Sequence, residues 1–533
     1  MSIERTGVKA GRSEAGALKL PELPDVLTLL DEYLTIYPQA PFDPADAETR
    51  YLLEALAWFS ASSRAKAIEG QRGFYRRLFA QYFPTLLQPL PAAGLLEIAP
   101  SGQLAERVEL PEGTEITLGA EGQGEAQFRT MAPLTIEPVW LERVDQRPLP
   151  DGGTLVRLHL RAAAPVAALH LQINHLGDTL ASARLLDDLS RHLRGARVGA
   201  TLNAPNDGET AQVQLGGGPL RGALNQPETT DPLDVARWRL HFPERWSVVH
   251  LTLPQRRSGS FCVSLNMGAA WEPDPWLAPR SFRLFVVPIE NSQRAASAPI
   301  RCDGHRTVWP ILPPRPGLSL VSVRGVYEVA DAGLLPIRPS ALPGEGGTWE
   351  LEPPSSLHLH LPDAFLRPRV VSVDGLWHEP SFSSALAGAL TVRLHRRAMP
   401  AARLSMMAPP LPPRALDRVD DGLALLQVLS LRTRGALTLA DLRGLLRLLG
   451  GLDGGPYREV FEHLDALHCE ESVSGEGGGL TLVRRYTLSF PRLGQDAAFR
   501  VRAASAVIGE ILSAWSSQGR VTVRARMMNG EDA

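Results

Sequence analysis

Lysine is almost missing from this 533-residue chain: Lys9, Lys19 and Lys66 stand among 55 basic side chains, and every other one is arginine. With 58 acidic residues the net charge is −3, so composition points to neither a nucleic-acid nor an anionic-membrane partner. The arginine bias accompanies abundant Ala, Gly and Pro, as GC-rich coding produces. It also suits forked contacts across subunit interfaces. Cysteine is equally scarce. Cys262, Cys302 and Cys469 are odd in number and far apart, which argues against a disulfide framework. No run approaches the roughly 20 apolar residues that cross a bilayer. Met1 to Leu20 carries mixed charges and glycines without an apolar stretch, so no secretory signal is visible. A soluble, cytoplasmic protein is expected.

Catalytic signatures are missing too. There is no Gly-rich phosphate loop ending in Lys and Ser/Thr, no G-x-S-x-G elbow and no H-E-x-x-H helix. Gly475 to Gly479 lacks the lysine and sits between strand patterns, so it reads as a hairpin turn. His463, His468 and Cys469 do not share one helical face and have no fourth ligand nearby. His358 and His360 share one face of a strand, where edging a sheet is the plainer reading. Neither a metal nor a cofactor is expected, and the chain reads as a non-enzyme.

What the sequence does have is grease at its front. From Pro24, Leu27, Leu30 and Leu34 mark a first amphipathic helix ended by Pro38 and Pro41. A long helix follows, with Asp43 or Asp46 as its cap and Leu52, Leu53, Leu56 and Phe59 at helical spacing. Gly70 and Gly73 allow a bend; Phe74, Leu78 and Tyr82 run beside Tyr75, Phe79 and Phe83. Pro84 stops the helix, and Gln88 to Pro91 leaves it as an extended strap. So apolar a helix must lie against the chain's own core or against another subunit's helix.

Beyond residue 91 short alternating strands predominate. Leu180 to Leu193 reads as a helix, Trp238 to Leu253 as a further β section, and Phe282 to Ile289 as one apolar strand. Trp309 to Pro316 and Pro409 to Pro413 read as linkers. Thr438 caps a helix, 456–467 forms another, and a last helix over about 497–515 precedes the strand Arg520 to Arg526. The fold class expected is α+β multidomain: a helical N-terminal section, several mostly antiparallel β-rich domains and a C-terminal α/β section. The divisions fall at 1–91, 92–310, 311–413 and 414–533.

Several stretches together resemble the TssF family, the wedge-forming baseplate subunit of type VI secretion. Asp46 before Leu52-Leu53-Glu54-Ala55-Leu56-Ala57-Trp58-Phe59 is similar to the family's L-L-E-x-x-A-F helix. Phe83-Pro84-Thr85-Leu86-Leu87-Gln88-Pro89-Leu90-Pro91 resembles its Y-P-x-x-L-x-P-x-P exit. Leu110 to Thr114 with Phe128-Arg129-Thr130, then Asn291 with Ala298-Pro299-Ile300, follow in family-like order, and a small-residue helix before Gln518 to Val523 matches in layout.

The resemblance implies a non-catalytic wedge subunit built from two TssF copies and one TssG. It further implies contacts with TssK, the sheath-linking TssE, the tail hub and sheath components, with no nucleic acid and no direct membrane insertion. The N-terminal helices would join a bundle with TssG, through Leu27, Leu30, Leu34, Leu52, Leu53, Leu56, Phe59, Phe74, Leu78 and Tyr82. Two alternatives stand beside it. One is a phage-like contractile tail; the other is a β-sandwich that binds or acts on carbohydrate, if Trp238, Trp246, Trp271, Trp276 and Trp377 line one groove.

Overall fold

The computed structural model describes residues 28, 31–39, 46–120, 124–216, 231–340, 346–352, 354–382, 390–395, 399, 401–415, 422–432, 434–452, 454–475, 481–491, 497–516 and 519–527. Residues 31–36 are helical, followed by a turn at Pro38 and Gln39. The long helix α1 is Ala47–Tyr82, 36 residues and about 54 Å at 1.5 Å per residue. Of the two candidate caps, Asp46 serves: its Oδ2 accepts from the Thr49 N–H at 3.1 Å. The helix is continuous through both glycines. Gly73 is there for approach, since a Cβ would come within 2.6 Å of Glu352 Oε1.

The middle of the chain builds two six-stranded sheets around one core. The first is ordered Leu390–Leu394, Glu115–Ala120, Gly124–Thr130, Val286–Glu290, Ala93–Pro100, Ala402–Met406, with every neighbour antiparallel. The second is ordered Phe282–Leu284, Thr154–Ile173, Val248–Met267, Leu193–Gly199, Glu209–Leu215, with Val139–Pro148 also on Thr154–Ile173. Ile98, Ile116 and Phe128 of the first sheet share a core with Leu158, Leu169 and Val263 of the second. Helix α2 (Thr179–His192) adds Leu185 and Leu189 to it.

The single apolar strand expected over Phe282 to Ile289 is broken at Phe285, which has φ 53°. Residues 282–284 pair with 171–173, whereas 286–290 pair with 93–97. A left-handed residue other than glycine is uncommon, and here it is where the chain crosses between sheets.

A third sheet is ordered Gln293–Ala296, Arg369–His378, Ser319–Ala330, Gly333–Pro339, Thr348–Glu352, Ser356–His360, Val308–Pro310, with Ile300–Cys302 also on Arg369–His378. Trp377 fills its core beside Val371 and Leu357 and donates from Nε1 to the Ala295 carbonyl at 2.9 Å. The division expected at 310/311 therefore falls inside a sheet, because 300–302 and 308–310 pair with strands of the following segment. Trp309 to Pro316 reads as linker from its prolines, yet Val308–Pro310 is an edge strand on 356–358, a place that tolerates proline.

The C-terminal unit gathers α3 (Pro232–His241), α4 (Gly422–Leu431), α5 (Leu439–Leu448), α6 (Arg458–Glu462) and α7 (Ala498–Trp515) around three strands. Ala466–Ser474 and Thr481–Phe490 pair antiparallel, and Arg520–Met527 returns parallel to the latter after α7. Thr438 caps α5 with a reciprocal Asp441 contact. The foot of α1 completes this core: Phe79, Phe83, Leu86 and Leu87 pack among Leu442, Ile508 and Trp515.

Two expectations are corrected. Residues 238–241 are helical, because Asp231 accepts from the Leu233 N–H, Pro232 starts the helix, and Leu233, Ala236 and Leu240 point into the C-terminal core; the strand begins only at Val248. Pro409 to Pro413 is also no free linker. Leu411 exchanges backbone hydrogen bonds with Ala93 at 2.7 and 3.2 Å, and Arg414 does so with Leu90 at 2.8 and 3.1 Å, so two proline-rich straps are laced together.

Gly519 tests the return of the last strand. It has φ +88°, and a Cβ would collide with the Leu482 carbonyl oxygen. Gly519→Ala is expected to destabilise the C-terminal unit by about 2 kcal/mol or more, read as a lower urea midpoint; an unchanged midpoint would contradict the pairing.

Candidate assembly surface

The apolar positions of α1 divide between two fates. Leu53, Ala57 and Phe79 are buried, and Leu78 is half-buried. Leu52, Leu56, Phe59, Phe74 and Tyr82 face water, each 53–63% exposed. Tyr51, Trp58 and Ile68, which periodicity did not single out, are exposed as well. Leu34 is half-buried; Leu27 and Leu30 lie outside the described residues.

Leu52, Leu56, Phe59 and Ser63 follow a 4-3-4 spacing. Repeated from Ser63, it passes Ala67 and Gly70 to Phe74, a line with large side chains at both ends and small ones between. A Cβ at Gly70 would meet nothing within 4 Å. Such a line offers knobs at its ends and a close approach in its middle. Single exposed apolar residues need no explanation, but a row of this length on one helix makes this face the candidate surface.

The helix is anchored beyond the C-terminal end of the exposed row. Just past Phe74, Arg77 Nη1 donates to Glu352 Oε1 at 3.2 Å and lies 3.3 Å from His358 Nε2, which is 2.8 Å from Glu352 Oε2. His358 thus joins α1 to the third sheet. At its foot, Phe83 stacks on Trp515 at 4.9 Å, and buried Arg237 donates to the Thr85 carbonyl at 2.8 Å and to the Gln88 carbonyl.

A cleft of about 890 Å³ lies between the first sheet, α3 and α7. Its charges are mostly paired: Arg129 donates to Glu290 Oε1 from Nε at 2.8 Å and Nη2 at 2.5 Å, and Arg239 meets Glu510 at 2.7 Å. Arg239 and Arg245 lie 5.4 and 5.2 Å from the Trp246 ring centroid. The described lining holds no histidine or cysteine. It is assembled from segments near residues 112, 129–131, 214–216, 232–246, 290, 506–514 and 521, and only the Arg/Trp density of 237–246 hints at it in the sequence.

Asp234 on its wall has its pKa raised to about 6, chiefly by burial, against the attraction of Arg237 and with the repulsion of Asp231 and Glu290. A carboxyl raised in the fold loses stability as pH climbs from its unfolded value near 4 to about 6, and the loss is complete above that. Asp234→Asn is therefore expected to raise the unfolding midpoint at pH 7.5, by about 1–2 kcal/mol after discounting for the half-buried side chain, and to leave it unchanged near pH 4. A lower midpoint at pH 7.5 would contradict this.

The other sequence candidates scatter. His463 Nδ1 lies 2.6 Å from its own helix carbonyl at Glu459, exposed His468 is 3.9 Å from Glu470, and Cys469 packs near Tyr486. Among the described residues no group of three or more His, Cys, Asp or Glu is placed to hold a metal. Trp238 and Trp246 share the cleft, but Trp271 and Trp377 are buried in two different cores and Trp276 is exposed. The five do not line one groove. No described helix is long and apolar enough to cross a membrane.

The class of protein the fold sets out is a multidomain body of mostly antiparallel sheets, with a long helix that carries a row of uncovered apolar side chains. Residues 40–202 match the family model described as Type VI secretion system, TssF. A chain in the cryo-electron microscopy structure of the type VI secretion system TssK-TssF-TssG baseplate subcomplex shares the fold with TM-score 0.69. The identity is 15%, over 91% of this chain and 97% of that one. A chain of the baseplate complex from the type VI secretion system gives TM-score 0.57 at 16% identity, over 96% of this chain and 94% of that one. Comparison with curated proteins gives no match. Residues 40–202 thus resemble the TssF family, and the fold of this chain is shared along nearly its whole length with the baseplate chain.

Proposed function

We propose that this chain is a non-catalytic structural subunit of the type VI secretion baseplate, and that the outward face of α1 is where a helix of TssG packs. The observation that carries this reading is the exposure of Leu52, Leu56, Phe59 and Phe74 on a helix whose foot is fixed in the C-terminal core. The match of residues 40–202 to the TssF family model and the fold shared with a TssK-TssF-TssG subcomplex chain support TssG and TssK as partners. A second copy of the chain, TssE, the tail hub and the sheath complete the assembly, which works in the cytoplasm and docks at the inner membrane through other components. Exposed apolar area of this kind tends to self-associate without its partner. Coexpression with TssG and native mass measurement tests the reading: a stable complex with two copies of this chain per TssG is expected, and a monodisperse monomer indifferent to TssG would contradict it.

A further inference from the structure

Away from α1's exposed row, a cavity of about 270 Å³ lies between the end of α4, the strand Thr481–Phe490 and the end of α7. Three guanidinium groups line it, those of Arg432, Arg434 and Arg484, and no described lining residue carries a carboxylate. Two of the three are neutralised from outside the wall. Arg434 Nη1 donates to both oxygens of Asp441 at 2.9 Å, and Arg484 Nε donates to Glu471 Oε1 at 2.8 Å, with Nη1 on Ser516 Oγ at 2.9 Å.

Arg432 differs. Its guanidinium lies 5.1 Å over the Phe83 ring, its Nε is buried without an acceptor, and no carboxylate among the described residues reaches it. Its sequence neighbours are Leu431 and Thr433, neither of them acidic. A cation set against an aromatic ring in a recess loses hydration that no described residue replaces, and two further guanidinium groups raise the positive potential there. The Phe83 ring gives part of what is missing, as a cation–π contact. It supplies no hydrogen-bond acceptor.

We propose that this recess binds one small oxyanion, a carboxylate or a phosphate, held by charge-assisted hydrogen bonds from the terminal nitrogens of Arg432 and drawn in by Arg434 and Arg484. Forked contact with a planar or tetrahedral oxyanion is what guanidinium groups do best. Because Arg432 also lies on Phe83, the bound anion would brace the joint between α1 and the C-terminal unit. This site is independent of how the outward face of α1 is used.

Titration of the full chain with inorganic phosphate and, separately, with succinate tests it, at constant ionic strength set by chloride. Saturable binding at one site is expected, with a rise in unfolding midpoint that follows ligand concentration. Arg432→Gln should weaken it about tenfold or more, while Arg432→Lys, which keeps the charge and loses the fork, falls between. Circular dichroism of both variants separates lost binding from lost folding. Tighter phosphate binding assigns the site to phosphate, and tighter succinate binding assigns it to carboxylates. No heat and no midpoint shift beyond the chloride control, or binding unaltered in a folded Arg432→Gln chain, would overturn the proposal.

Discussion

Replacing Leu56 and Phe59 together by glutamate should weaken binding to TssG by about two to four orders of magnitude while hardly moving the unfolding midpoint of the isolated chain. Covering one large apolar side chain contributes about 1.5–3 kcal/mol, so two in one seam contribute about 3–6 kcal/mol, or that range in Kd. The glutamates would add the cost of placing charge in a helix–helix contact. In the free chain both side chains are mostly exposed, and exposed substitutions usually change stability by about half a kcal/mol or less. Titration calorimetry with TssG and a thermal melt of the chain alone read the two halves. A large fall in the melt with binding preserved would place these residues in the chain's own core.

The same helix should behave in the opposite way at its foot. Phe83→Ala removes a ring that is buried, stacked 13° from parallel on Trp515 and covered by Arg432. The expected cost is about 3–5 kcal/mol, comparable to the whole stability of many domains. Since Phe79 and Phe83 share a core with Val501, Ile508 and Leu512 of α7, the loss should register far along the sequence. Hydrogen exchange would show the amides of α7 opening sooner, while those of the strands around Trp377, in a separate core, keep their protection. Slow exchange throughout α7 in the variant would contradict the joint core.

The contrast between the two ends of α1 shows what could be read before any coordinates. Helical spacing announces α1, its aromatic rows and its proline exit, because those signals are local. It does not say which row faces inward: Phe79 and Phe83 are buried whereas Phe74 and Tyr82 are not, and that is settled by α4 and α7, more than 300 residues away. Residues 238–241 read as strand from Trp-Arg-Leu-His-Phe, yet burial of Leu233, Ala236 and Leu240 together makes the segment helical. The break at Phe285 was hidden for a similar reason. An unbroken apolar run fits one strand, and only the separate partners on either side require the chain to change sheets. Proline clusters were the least reliable guide, since those at 409–413 are paired rather than free. Neither the large cleft nor the arginine recess has a linear signature, because each is gathered from distant segments.

Side-chain footprinting of α1, with the chain free and with the chain bound to TssG, tests most directly that this helix is a surface left open for a partner. The account predicts strong labelling of Leu52, Leu56, Phe59 and Phe74 in the free chain, as their exposure requires, and its collapse in the complex, with Phe79 and Phe83 dark in both. Equal labelling of the four outward residues in both states, with protection appearing elsewhere on the chain, would contradict it.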